Sequence, residues 1–173
     1  MIREDPLLAG APPRPWRLSG RLLVIDPADR LLLVRCHDPV APVQGEWWEV
    51  PGGGVDPGED TVTAALREVA EETGVRVPRG AVLPGRWEQD ITYEWLGVRR
   101  WSRHVVHIAA LRAVPAAVPL APTADERLSF LGASWVPIAE VDGLPRTYPD
   151  GIAELIPRLL DGAEIDAGFA IWS

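Results

Sequence analysis

The passage that most constrains this chain runs from Val50 to Val75, "VPGGGVDPGEDTVTAALREVAEETGV". Pro51 and the three glycines after it end any strand that precedes them, because proline removes a ladder donor and glycine favours irregular backbone. From Asp60 to Thr73 the residues read as helix: Val62, Ala65, Leu66 and Val69 recur at helical spacing, and Gly74 stops the run. Positions three and four apart share a helix face, so Glu68, Glu71 and Glu72 project together, away from that apolar stripe. Three like charges so placed repel by roughly a few tenths of a kcal/mol per exposed pair. Hard divalent cations such as Mg²⁺ or Mn²⁺ prefer carboxylate oxygens and would remove the penalty. The fold must therefore bury one side of this helix and leave the other open to a ligand.

The flanking sequence supplies a sheet for that buried side. "RLLVI" and "LLLVR" around "DPADR" form a hairpin signal, and "EWWEV" is a third strand that Pro51 ends. A second hairpin is expected from "GRWEQDITYEW" and "VRRWSRHVVHIAAL" about Leu96-Gly97. "RAVPAAVPLAPTADERL" reads as a proline-rich loop, "GASWVPI" as a last strand, and "GIAELIPRLLDG" as a short C-terminal helix whose first turns Pro157 limits. Two hairpin regions with a central and a terminal helix predict an α/β domain, a mixed curved sheet sandwiched between helices. Residues 1–18 are proline-rich and read as an N-terminal extension with Trp16 as an anchor, leaving 19–173 as a single domain.

Charge narrows the partners. The chain has a net charge of −8 and no lysine, so a nucleic-acid surface, which needs a basic stripe, is not expected. An acidic protein that handles phosphates needs cations between itself and its ligand. The lone Cys36 excludes an internal disulfide and favours a cytoplasmic setting. The sequence contains no apolar run of membrane-spanning length, and no membrane partner is expected.

Spacing gives the sharpest signal. Gly53, Glu59, Arg67-Glu68-Val69, Glu71-Glu72 and Gly74-Val75 fit G-x5-E-x7-R-E-U-x-E-E-x-G-U, with U aliphatic, at every fixed position. This resembles the signature box of the Nudix hydrolases, the MutT-like pyrophosphohydrolases, over roughly residues 18 to 160. The resemblance implies the Nudix fold and metal-dependent hydrolysis of the pyrophosphate bond of a nucleoside diphosphate linked to another group, or of a nucleoside triphosphate. It implies Glu68 and Glu72 as the main metal ligands, the Gly52 carbonyl as a backbone ligand, and Glu71 as ligand or base. Arg67 would orient a glutamate by ion pairing, with Glu59 in a supporting place. Many relatives take their base from a loop after the box, where Glu126 stands here beside Asp125. A homodimer is a further expectation by analogy.

Substrate recognition is less legible. Side chains alternate along a strand, so Trp47 and Trp48 face opposite sides, and Trp48 is taken as the candidate that flanks substrate. Arg99, with Arg100 and Arg103, offers phosphate contacts. Tyr93, eighteen residues beyond the box, resembles the tyrosine associated with dinucleoside polyphosphate hydrolases. His37, His104 and His107 lack metal-ligand spacing and read as structural. The alternative function is a nucleotide-binding regulatory Nudix domain without turnover; an isomerase using Cys36 is a remoter one.

Overall fold

The computed structural model describes residues 17–172. Nine strands, β1 (Arg17–Ile25), β2 (Arg30–His37), β3 (Glu46–Glu49), β4 (Gly52–Gly54), β5 (Val82–Trp95), β6 (Val98–Ala110), β7 (Phe130–Pro137), β8 (Thr147–Tyr148) and β9 (Glu164–Trp172), join in one mixed sheet. The main path is β8-β3-β2-β1-β6-β5-β9, with β4 paired to β1 and β7 to β2. Helix α1 (Thr61–Thr73) lies on one face and α3 (Ile152–Leu160) on the other, while α2 (Ala124–Ser129) precedes β7. Arg17 and Leu18, assigned to the extension on sequence, begin β1; the rest of the extension, Trp16 included, lies outside the described residues. No helix among the described residues is long and apolar enough to cross a membrane.

The turns follow their residues. Asp26 closes the β1–β2 turn, accepting from the Ala28 and Arg30 amides at 2.9 Å and from the Arg30 guanidinium. Past the turn the two strands splay: they pair only at Ile25 and Leu31, and β1 instead runs parallel to β6 along Arg17–Ile25. At the β5–β6 turn Leu96 and Gly97 both have positive φ, as a tight two-residue hairpin requires, and the Asp38 carboxylate accepts from the Leu96 amide.

Two apolar clusters hold the layers together. Leu22, Val24, Leu32, Ala65, Val69 and Ala109 pack α1 onto the sheet, and Leu23, Leu33, Val106, Ile108, Ile156 and Leu159 pack α3 onto its other side. Burial of each Leu, Ile or Val among them is worth about 1.5–3 kcal/mol. Gly20 permits the close approach of α1, because a Cβ there would meet the Thr61 carbonyl oxygen at 2.0 Å.

Three elements depart from the sequence reading. The proline-rich loop ends in α2, nucleated by a capping box in which Thr123 and Glu126 each bond the other's backbone amide. Pro157 stands inside α3 and does not limit it; the buried face of Ile152, Ile156 and Leu159 outweighs the missing donor. The chain then continues past α3 into β9, which pairs parallel to β5 at the sheet edge.

Candidate active site

Strand β4 pairs antiparallel with β1 and lays the glycine-rich turn beside α1. Asp60 caps the helix by accepting from the Thr63 amide, and Gly74 ends it in the left-handed conformation. The carboxylates do not form a solvated face. Glu68 and Glu72 are buried, Glu71 is half-buried, and the Gly52 amide donates to Glu72 Oε2 at 3.0 Å. A Cβ at Gly53 would crowd the Glu68 carboxylate, which would have to shift to admit a side chain.

Arg67 organises the outer side of this turn. Its Nε and Nη2 donate to the two oxygens of Glu59 at 3.0 Å, its Nη1 donates to Glu68 at 2.8 Å and Glu71 at 3.2 Å, and its Nη2 also donates to the Gly54 carbonyl. The guanidinium thus ties the loop to the helix. Burial pushes the Glu68 carboxyl above the ordinary carboxylate range although Arg67 opposes the shift. Burial, and then the neighbouring Glu49 charge, push Glu72 well above it, against Arg21.

Glu126 reaches the same place from α2. One carboxylate oxygen each of Glu68, Glu72 and Glu126 lies within 4.8 Å of the others, a set that suits a hard divalent cation. Two backbone bonds hold the approach: Val118 donates to the Gly74 carbonyl at 2.8 Å and Ala121 to the Glu71 carbonyl at 3.0 Å. Glu71 lies outside this triplet but lines the same cavity.

The cavity has a volume of about 540 Å³. The carboxylates line it together with the aromatic residues Trp47, Trp95, Phe130, Tyr93, Tyr148 and Trp172 and with polar residues that include Arg17, Arg21, Arg100 and His104. Trp47 and Trp95 meet edge to face at 5.9 Å, as do Tyr148 and Trp172 at 5.1 Å. Tyr93 lines the cavity, and Trp48 and Arg99 are not among its lining residues. Alternation along β3 turns Trp47 and Glu49 to the cavity, while Trp48 packs on the core with the Arg35 guanidinium 5.8 Å from its ring. Arg99 lies 3.9 Å from Glu94, and Arg100, one position on, lines the cavity beside Asp125. His104 is buried and bonds Tyr148 through Nδ1 at 2.7 Å.

Sequence reasoning missed Arg21, Glu49, Phe130, Tyr148 and Trp172 as residues of the site. The signal for Arg21 was a cation opening an otherwise apolar strand, and for Glu49 its position two residues from Trp47. The remaining three are scattered aromatics that only the strand order brings together.

A NUDIX domain model matches residues 16–159 of the chain. The chain belongs to the Nudix hydrolase family. It is 32% identical over 149 residues to a protein of Caulobacter vibrioides named RNA pyrophosphohydrolase, covering 82% of this chain and 83% of that one. Its fold matches a MutT protein from Bacillus halodurans with a TM-score of 0.57 at 19% identity, over 91% of this chain and 90% of the other. It also matches a bifunctional NMN adenylyltransferase/ADP ribose pyrophosphatase from Francisella tularensis, complexed with AMP and a Mn ion. There the TM-score is 0.54 at 20% identity, over 91% of this chain and 45% of the other. The protein is a Nudix pyrophosphohydrolase, from a family that generally uses divalent metal, and its α/β/α architecture is the Nudix fold.

Proposed function

We propose that this Nudix enzyme hydrolyses the anhydride between two phosphates of a small nucleotide, an NDP-sugar, a dinucleoside polyphosphate or a nucleoside triphosphate, with Mg²⁺ or Mn²⁺. The observation that carries the reading is the Glu68–Glu72–Glu126 triplet on a cavity that six aromatic side chains and the guanidinium groups of Arg17, Arg21 and Arg100 also line. Glu68, Glu72 and the Gly52 carbonyl would hold the cation, with Glu71 within reach as a further ligand. Bound there, a divalent cation would polarise a phosphate oxygen and acidify an attacking water. Glu126 takes the proton from that water, Glu71 being the second choice. Arg67 keeps Glu68 and Glu71 aimed inward through its bonds to both. Trp95, Phe130 and Tyr93 offer stacking surface to a planar base.

The name of the Caulobacter relative supports a second reading, in which the nucleotide is the end of an RNA. The net charge of −8 favours the smaller substrate. The buried thiol of Cys36, with no disulfide, agrees with a cytoplasmic setting. A panel of nucleoside triphosphates, NDP-sugars, dinucleoside polyphosphates and a 5′-triphosphorylated RNA, assayed with each metal, tests the proposal. Phosphate release with and without alkaline phosphatase, and product masses, identify the bond cleaved. Turnover of RNA alone would install the second reading, and binding without turnover of any member would leave a regulatory domain.

A further inference from the structure

The two ends of the cavity are joined by a chain of hydrogen bonds that passes through Glu49. Trp47 Nε1 donates to Glu49 Oε2 at 3.0 Å, and Arg21 Nη1 donates to Glu49 Oε1 at 3.3 Å. The same Nη1 donates to the Val50 carbonyl at 2.8 Å, on the backbone that leads through Pro51 to Gly52. The Gly52 amide then donates to Glu72. Every side chain of this chain is near-buried: the Arg21 and Glu49 side chains are only 10% and 14% exposed, and Trp47 is 3% exposed. Tyr148 covers the guanidinium, its ring centroid 5.4 Å from Arg21 Cζ.

Nothing in the chemistry of the carboxylate triplet requires this arrangement. Glu49 is not part of the triplet, and its charge lies close enough to Glu72 to oppose Glu72's own ionisation. A buried carboxylate in such company is costly unless it is paired and hydrogen-bonded, as Arg21 and Trp47 pair it here. What Glu49 does is fix the Trp47 indole, and Trp47 backs Trp95 edge to face.

We propose that Glu49, held by Arg21, is a positioning residue for substrate recognition: it sets the aromatic wall of Trp47 and Trp95 at a fixed distance from the carboxylates. The enzyme thereby favours nucleotides whose base and scissile anhydride match that span. The inference rests on the reading above that a planar base stacks on this wall, and it goes further by assigning the control of that wall to a residue outside the metal site.

The test is a double-mutant cycle read by binding. Glu49→Gln keeps the shape but can accept from only one of the two donors, and Trp47→Phe keeps a ring but removes the indole donor. AMP and GMP are titrated calorimetrically in the presence of Mn²⁺, and Mn²⁺ affinity is measured separately by electron paramagnetic resonance. For the tighter-binding nucleotide, each single variant should weaken binding by about 10-fold, and the double variant by little more than either, because both remove one interaction. In steady state the same loss should fall on KM, with kcat changed by less than about 3-fold. Mn²⁺ affinity should stay within about 3-fold of the parent enzyme in Glu49→Gln, as for a residue that does not ligate metal.

Additive effects would overturn the proposal, as would a loss of Mn²⁺ affinity with unchanged nucleotide binding, which would place Glu49 in the metal site. If Glu49→Gln fails to fold, Trp47→Phe poses the same question from the other end of the bond, and parent-like AMP and GMP affinity in it overturns the proposal. Trp95→Ala separates the two levels. Unchanged nucleotide affinity in that variant would remove base stacking itself, whereas weakened affinity there with additive Glu49 and Trp47 effects would remove only the role of Glu49.

Discussion

The acidic and aromatic ends of the cavity were built in opposite ways. The acidic end comes mostly from one passage, Gly52 to Glu72, in which helical periodicity aligns Glu68 and Glu72 and a single arginine ties loop to helix, and Glu126 joins them from α2. The aromatic end draws Trp47, Tyr93, Trp95, Phe130, Tyr148 and Trp172 from β3, β5, β7, β8 and β9, which become neighbours only when the sheet forms. The difference teaches that chemistry is here encoded locally and recognition through long-range topology. Substitutions at the acidic end should therefore change rate, and those at the aromatic end should change affinity.

The largest expected effect tests the acidic end. Glu126→Gln should lower kcat by roughly two to four orders of magnitude with little change in KM, the usual worth of a positioned base. Added Mn²⁺ should not rescue it. Glu72→Gln should also lose most activity, but higher metal concentration should restore part of it, as for a lost ligand. If Glu71→Gln carries the metal-independent loss and Glu126→Gln is mild, the base lies on α1 and the acidic end is still more local than described here.

An intermediate effect concerns stability. Glu68 and Glu72 have folded pKa values raised above the ordinary 4.5, so above that value the folded state retains protons that the unfolded chain has released. Without metal, stability should fall as pH rises through this window. Mg²⁺ or Mn²⁺ binds the ionised cluster and offsets the loss, so the rise in Tm on adding metal should grow from about pH 5 to about pH 8. A metal increment that is flat with pH would show that the buried carboxylates are already ionised when metal arrives.

The smallest effect tests the aromatic end through Trp48 and Trp95. Trp95→Ala should raise KM by about 10-fold at nearly constant kcat, on the scale of one lost base–aromatic stack. Trp48→Ala should leave KM near that of the parent enzyme and show its cost in Tm, because its ring packs on the core away from the cavity. Equal KM effects at both positions would break the distinction between the cavity wall and the core side of the sheet.

The same contrast explains what was legible in the sequence. The helix, its glycine stop and the β5–β6 hairpin follow from local spacing and turn residues and are found where the residues predict them, whereas β1 and β2 share the predicted turn but pair only at Ile25 and Leu31. Glu126, expected only as a base candidate in a loop after the box, lies beside Glu68 and Glu72. Of the two adjacent tryptophans, Trp47 lines the cavity and Trp48 packs on the core; alternation says only that they differ, and the strand's neighbours decide which faces the cavity. Helix α2 was hidden by surrounding prolines, although Thr123 and Glu126 carry the capping-box pattern. Strand β9 was hidden because Gly168, at positive φ, interrupts its alternation and the register with β5 shifts between Glu88 and Asp90.

The two backbone bonds from Val118 and Ala121 to the end of α1 also bear on how this fold can change over time. They act as a clasp that divides the connection between β6 and β7 into two stretches with different tolerance. Between Ala110 and Val118, residues can be gained or lost without shifting Glu126, because the clasp resets the path before α2 begins. Between Ala121 and Glu126 the spacing is fixed, since one inserted residue would turn the carboxylate off the triplet and break its bond to the Thr123 amide. Length variation in homologous enzymes should therefore collect on the β6 side of the clasp, and loop grafts intended to alter substrate preference have room there that the other side does not offer.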